Sequence, residues 1–127
     1  AYLNLGNALR SRQMFEEAAK TYQKALEIDP KSLDAHNLLG LTLSSLKRYD
    51  EAISLLKKAV GLNPQNADSF YNLGVILTDV HRYEEAVSAY TQALTLNPNL
   101  ASAYNNLGFL FFLIHLSTRS FLFTIRF

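Results

Sequence analysis

Glycine, alanine and proline recur in this chain at a fixed interval, which constrains the fold more than any other feature. Four of the five glycines lie 34 residues apart, at Gly6, Gly40, Gly74 and Gly108. Two sets of alanines keep the same spacing: Ala18, Ala52 and Ala86, then Ala25, Ala59 and Ala93. All three prolines also follow it, at Pro30, Pro64 and Pro98. Such a period indicates stacked copies of one small unit, which bury their apolar faces against each other.

Each unit is predicted to contain two helices joined by a turn. In the third copy, Leu73, Gly74 and Leu77 share one face of a first helix. A second helix then has an apolar face at i, i+4 and i+7, formed by Ala86, Tyr90 and Ala93. Glycine on one helix and alanine on the other let the two axes approach closely. Proline ends the unit because it cannot donate the next helical hydrogen bond.

This pattern resembles the tetratricopeptide repeat, a family of helix-turn-helix units. Phe70-x-x-Leu73-Gly74-x-x-Leu77, then Ala86-x-x-x-Tyr90, Ala93 and Pro98, reproduce the order and spacing of the family signature. The resemblance implies an all-α, right-handed solenoid of about seven helices, with about three full repeats and a partial fourth. We predict a repeat array over residues 1–116, divided at about 1–32, 33–66, 67–100 and 101–116.

The fourth repeat departs from the period after its first helix. Ser117-Thr118-Arg119-Ser120 stands where the other repeats have an aromatic residue, two acidic residues and alanine. The final FLFTIRF alternates in the way that is typical of a strand. We therefore expect residues 117–127 to be an aberrant apolar tail. We also expect exposure of Phe109, Phe111, Phe112, Leu113 and Ile114, which marks either a partner site or an aggregation liability.

Composition excludes several classes of function. Twelve basic and eleven acidic residues give a formal charge of +1, without a block of like charge, so neither nucleic acid nor an anionic membrane is an expected partner. The absence of cysteine excludes disulfides, thiolate metal sites and thiol nucleophiles. The apolar run from Phe109 to Ile114 is far shorter than the ~20 residues of a membrane span.

No group of residues in the sequence predicts an enzyme, a metal site or a cofactor. His36, His81 and His115 fall at a core position, a turn and the tail, and none has another ligand at metal-binding spacing. The pairs Glu16-Glu17 and Glu84-Glu85 fit the first turn of a helix, where negative charge complements the dipole. The glycines are spaced by a repeat and not by a phosphate-binding loop, so no small-molecule substrate is expected.

The family resemblance places the candidate binding surface on the first helix of each repeat, which lines a concave groove. We predict that the peptide-binding residues are Asn4, Asn7, Asp34, Asn37, Asp68, Tyr71, Asn72, Asn105 and Asn106. Further groove positions are Leu3, Arg10, Leu38, Leu41, Ser44, Val75, Thr78, Asp79, Ser102 and Phe109. An Asn amide both donates and accepts, so it can pair with an extended peptide backbone.

Two branches of the family offer more specific alternatives. One binds acidic C-terminal peptides of chaperones through Lys, Arg and Asn, of which this chain supplies only Asn7, while Asp34 and Asp68 would repel a carboxylate. The other comprises O-linked N-acetylglucosamine transferases, whose groove carries an Asn ladder, meaning an Asn at the same position in successive repeats. Asn4, Asn72 and Asn106 match that ladder, and Leu38 interrupts it.

We therefore expect a non-enzymatic interaction scaffold that holds a protein or an extended peptide. The alternative is the substrate-recruiting segment of a glycosyltransferase whose catalytic domain lies outside this sequence. The chain begins inside a helical pattern at Ala1, without a signal-peptide pattern, so we expect a piece of a longer array. A cytoplasmic location is expected, with a nuclear one as the alternative.

Overall fold

The computed structural model describes the backbone of residues 1–126 and the side chains of residues 1–119. Its seven α-helices are α1 (Tyr2–Ser11), α2 (Phe15–Ile28), α3 (Leu33–Ser45), α4 (Tyr49–Leu62), α5 (Ala67–Asp79), α6 (Tyr83–Leu96) and α7 (Ala101–Arg126). No strand occurs within these bounds. The predicted all-α architecture and the number of helices are therefore confirmed.

The helices form an inner and an outer layer. Each odd-numbered helix from α1 to α5 packs against the helix that follows it, and each even-numbered helix packs against the next odd-numbered one. Neighbouring odd-numbered helices also contact each other, whereas in the described part of the chain the even-numbered helices do not. The odd-numbered helices thus form the tighter, concave side of the solenoid, and the even-numbered helices form its outer side.

Local signals at the helix ends agree with the sequence prediction. Ser32, the N-cap of α3, accepts a hydrogen bond from the backbone N–H of Ala35 at 3.2 Å, and Asn66, the N-cap of α5, accepts one from that of Ser69 at 3.0 Å. Outer helices end just before proline: Asp29 and Asn63 have φ of −132° and −142°, outside the helical region. These stops repeat every 34 residues because the prolines do.

The turn inside each repeat carries a feature that the sequence pattern did not reveal. Gln13, Lys47 and His81 adopt φ of 61°, 64° and 63°, in the left-handed region that usually favours glycine. In each turn the next residue donates its N–H to a carbonyl five residues back, as Arg48 does to Leu43 at 2.8 Å. This closure is a Schellman motif formed without glycine, so no residue type marked it in advance.

Close packing inside each repeat confirms the predicted roles of glycine and alanine. A Cβ atom added at Gly74 would lie 2.8 Å from the ring of Tyr90, and one added at Gly6 would lie 2.4 Å from the ring of Tyr22. Ala86 is fully buried on the opposing helix. His36 is also buried, and its Nδ1 lies 2.8 Å from the carbonyl oxygen of Ser32, so the ring is held by a local hydrogen bond.

The fourth repeat has its first helix, and that helix continues far beyond the length of the others. Helix α7 spans 26 residues and runs through Ser117 without a break, so the strand-like alternation of the final residues does not produce a strand. Extension adds one hydrogen bond per residue to a helix that is already formed, and no proline follows Pro98 to stop it. The side chains of the predicted tail from residue 120 onward lie outside the described residues.

Candidate functional site

The predicted groove residues all lie on the inner helices α1, α3, α5 and α7. Their exposure divides them into two groups. Exposed side chains are Asn4, Asn7, Asp34, Asp68 and Asn105; half-buried side chains are Asn37, Tyr71, Asn72 and Asn106. The groove therefore contains exposed polar side chains, which can contact a ligand, and partly buried side chains, which are packed against their neighbours.

A cluster of two tyrosines and one asparagine ties three helices together at one end of the groove. The side-chain amide of Asn106 on α7 donates to the hydroxyls of Tyr71 on α5 and Tyr90 on α6, at 3.3 Å each. The two rings lie 5.8 Å apart between centroids and are tilted by 55°. Burial raises the pKa of the Tyr90 hydroxyl, against the lowering effect of its hydrogen bonds to Thr78 and Asn106. Asn106 thus bonds the core with its nitrogen, and its amide oxygen remains available to a ligand.

A shallow depression of about 180 Å³ lies beside this cluster. It is lined by Val75, Thr78, Asp79, Tyr90, Asn106 and Phe109. Three of these six side chains are apolar or aromatic, and Asp79 contributes an exposed carboxylate. The depression therefore offers an apolar floor with one negative group, a combination that suits an aliphatic stem ending in a cation.

Asn7 and Asn37 lie in different environments, although the sequence predicted both as residues of the groove. The hydroxyl of Tyr22 donates to Oδ1 of Asn7 at 2.5 Å, so this amide is held by the first repeat. Burial raises the pKa of that hydroxyl, with Arg10 acting in the opposite direction. By contrast, Oδ1 of Asn37 is buried and accepts no hydrogen bond from any described group of the protein. A buried acceptor of this kind is costly unless a donor reaches it.

The charge of the groove is predominantly negative at its centre. Helices α3 and α5 contain Asp34, Asp68 and Asp79 and no Lys or Arg. All three carboxylates are exposed. On the neighbouring inner helix α1, Arg10 is half-buried. The potential along α3 and α5 therefore favours cations and disfavours carboxylates.

Among the described residues, no three His, Asp or Glu side chains come together in a group able to hold a metal ion. None of the helices, over the part described, is long and apolar enough to cross a membrane.

Known proteins with related sequence or structure support one family. A family model described as "Anaphase-promoting complex, cyclosome, subunit 3" matches residues 2–93, and a tetratricopeptide repeat model matches residues 81–114. No curated protein sequence matches the chain. The glycosyltransferase alternative receives no support from these matches.

Similar solved structures cover almost the whole chain. MamA is 30% identical, with a TM-score of 0.81 over 91% of this chain and 67% of its own. The first repeat domain of Spaghetti (RPAP3), solved with the HSP90 peptide SRMEEVD, is 24% identical, with a TM-score of 0.86 over 90% of each chain. The Sgt2 domain from Aspergillus fumigatus is 21% identical, with a TM-score of 0.89 over 93% of this chain and 80% of its own. Together with the 34-residue period and the paired helices, these matches show that the chain belongs to the tetratricopeptide repeat family.

Proposed function

We propose that this scaffold binds an extended peptide along its inner helices, and that it prefers a peptide carrying Lys or Arg. The observation that carries the proposal is the composition of the groove, where exposed carboxylates on α3 and α5 lie among amide side chains. Amides can pair with a peptide backbone of any sequence, and the carboxylates then select by charge. This mode of binding needs no rearrangement of the helices.

Three asparagines of the groove carry amide groups that can form hydrogen bonds with a peptide backbone. Asn72 lies half-buried at the centre of the groove and forms no side-chain hydrogen bond with another described residue. Asn37 on the neighbouring inner helix has a buried Oδ1 without a hydrogen-bond donor among the described residues, and a rotation of this side chain toward the groove would bring that oxygen to a peptide N–H. Asn106 presents its amide oxygen because its nitrogen already donates to Tyr71 and Tyr90. The apolar side chains Leu38 and Leu41 interrupt this series and provide shallow contacts for a ligand side chain.

The charge preference separates this chain from the Spaghetti domain, whose bound peptide SRMEEVD is acidic near its end. At 24% identity that neighbour is informative about the fold alone. In the present groove a C-terminal carboxylate would approach Asp34 and Asp68, and no Lys or Arg on α3 or α5 would compensate the repulsion. A basic side chain, by contrast, can place its stem in the depression beside Tyr90 and its cation near Asp79.

Selection from a displayed library of random peptides tests this preference. We expect enriched peptides to carry Lys or Arg and to lack Asp and Glu, with Kd near the micromolar range, ~−8 kcal/mol. For the strongest binder, Asn72→Ala should weaken binding by about 1 to 2 kcal/mol in titration calorimetry, because a donor and an acceptor are removed at the groove centre. Raising the salt concentration should also weaken binding, since exposed charges are screened.

The matched control is Gln92→Ala, on the outer helix α6, which shortens an exposed amide of similar size. This variant should bind as the wild type does. Enrichment of acidic peptides would contradict the charge preference. If both variants lose the same affinity, or if neither variant loses any, the peptide binds a surface other than the groove.

A further inference from the structure

Helix α7 exposes a continuous stripe of large side chains on the side that faces away from the array. We call the stripe formed by Tyr104, Gly108, Phe111, Phe112 and His115 the open α7 face. These residues follow each other at i, i+4, i+7, i+8 and i+11, so they share one side of the helix. Tyr104, Phe111 and Phe112 are 55%, 54% and 56% exposed. The opposite side of α7 is anchored by the fully buried Ala103 and Leu110.

Comparison with the other repeats shows what this face lacks. In each full repeat the glycine at this position lies against a large side chain of the outer helix: Gly6 against Tyr22, Gly40 against Leu56 and Gly74 against Tyr90. A Cβ atom at Gly108 would meet no described side chain within 4 Å. Leu73 and Leu77 are nearly buried in the third repeat, whereas Phe111, the counterpart of Leu77, is half exposed. Helix α7 is therefore an inner helix with room for one more helix on its outer flank.

We propose that a second copy of this chain packs on the open α7 face, with the two α7 helices antiparallel about a two-fold axis near Gly108. The stripe is self-complementary about that point, because Tyr104 lies four residues before Gly108 and Phe111 and Phe112 lie three and four after it. An antiparallel pair thus sets Tyr104 of one copy beside Phe111 and Phe112 of the other. Gly108 in the middle lets the two axes approach closely.

Charge and area both favour a second copy over a charged partner. Residues 97–118 contain no Lys, Arg, Asp or Glu, so two copies of the face meet without opposing charges and offer nothing that would select a charged protein. The exposed halves of three aromatic rings amount to roughly 300 Å² per copy. The pair of copies then buries about 600 Å² of aromatic surface. The flanking Leu116, which is 46% exposed, and the intervening backbone add to this area and bring it toward the ~1,000 Å² of a specific interface.

Light scattering coupled to size-exclusion chromatography, over a wide dilution series, tests the proposal. The wild-type chain should elute with twice the monomer mass of 14.3 kDa and dissociate on dilution. Gly108→Leu should shift the chain to monomer, because the new side chain fits in the open space of one copy and obstructs the approach of two helices. Phe111→Glu should do the same by placing charge in the interface.

The matched control is Gly61→Leu, because Gly61 lies inside helix α4 and a Cβ atom there also meets nothing within 4 Å. It adds the same side chain in a helix far from α7 and should leave the dimer intact. Circular dichroism should show that all three variants keep the wild-type helix content. A wild type that stays monomeric at every concentration would overturn the proposal. So would a dimer that tolerates Gly108→Leu, or an open-ended assembly that grows with concentration.

Discussion

Replacing Tyr90 with alanine is expected to lower the free energy of unfolding by about 3 to 5 kcal/mol. Tyr90 is 1% exposed, and its ring packs directly against the backbone of Gly74. It also packs against Tyr71 and accepts a hydrogen bond from Asn106, so its loss loosens the contacts among α5, α6 and α7. A loss of this size approaches the whole stability of many small domains.

Urea denaturation followed by circular dichroism measures this effect. A second variant separates the contribution of the Tyr90 ring from that of its hydroxyl. Tyr90→Phe keeps the ring and removes only the hydroxyl, so it should cost about 1 kcal/mol. The exposed Gln92→Ala on the same helix should be neutral. A Tyr90→Ala variant no less stable than Gln92→Ala would show that the ring does not hold the third repeat together.

Ala86→Leu is the second large effect, and here the cost comes from overpacking. Ala86 is fully buried in the hydrophobic core, and leucine at this position adds three more carbon atoms to a closely packed interior. We expect the free energy of unfolding to fall by about 1 to 3 kcal/mol. Because each repeat contacts only its neighbours, the helices of the third repeat should lose protection against hydrogen exchange before those of the first.

Ser88→Leu is the matched control for this change. Ser88 is exposed two residues further along α6, so the same side chain is added to the same helix without entering the core. Its midpoint of denaturation should remain close to that of the wild type. Equal midpoints for Ala86→Leu and Ser88→Leu would mean that the packing face of α6 has been assigned incorrectly.

The helices and their pairing were predictable because short-range signals for them recur in every repeat. Gly74 and Ala86 identify the contact between two helices, and Pro98 fixes where the unit ends. Each of these residues acts through its own backbone or its own small volume, so its effect can be read without knowledge of distant parts of the chain. Three copies of the same signal made the period unambiguous.

The length of α7 was not predictable from the same kind of signal. The alternation in FLFTIRF favours a strand in isolation, but a helix that has already formed extends without a new nucleation step. The turn residues Gln13, Lys47 and His81 were missed for a related reason, since their left-handed backbone is imposed by the two packed helices on either side. In both cases the surrounding structure overrides local preference.

The sequence predicted which helices carry the candidate groove residues, but it did not predict the hydrogen bonds of each amide. Asn7 and Asn106 were assigned to the groove together with Asn4 and Asn72, yet Asn7 bonds Tyr22 and Asn106 bonds Tyr71 and Tyr90. Those bonds join residues that are 15 to 35 positions apart, so they depend on how helices pack within a repeat and between neighbouring repeats. The available signal was the tyrosine at position 22 and again at 90, replaced by Leu56 in the second repeat.

An NMR titration with the strongest peptide from the library shows whether the peptide lies along the inner helices. We expect the largest changes in backbone and side-chain amide shifts at Asn37, Tyr71, Asn72 and Val75, because these residues line the middle of the groove. The outer helices α2, α4 and α6 should change little. Shifts concentrated on the outer helices, with Asn37 and Asn72 unperturbed, would contradict the account.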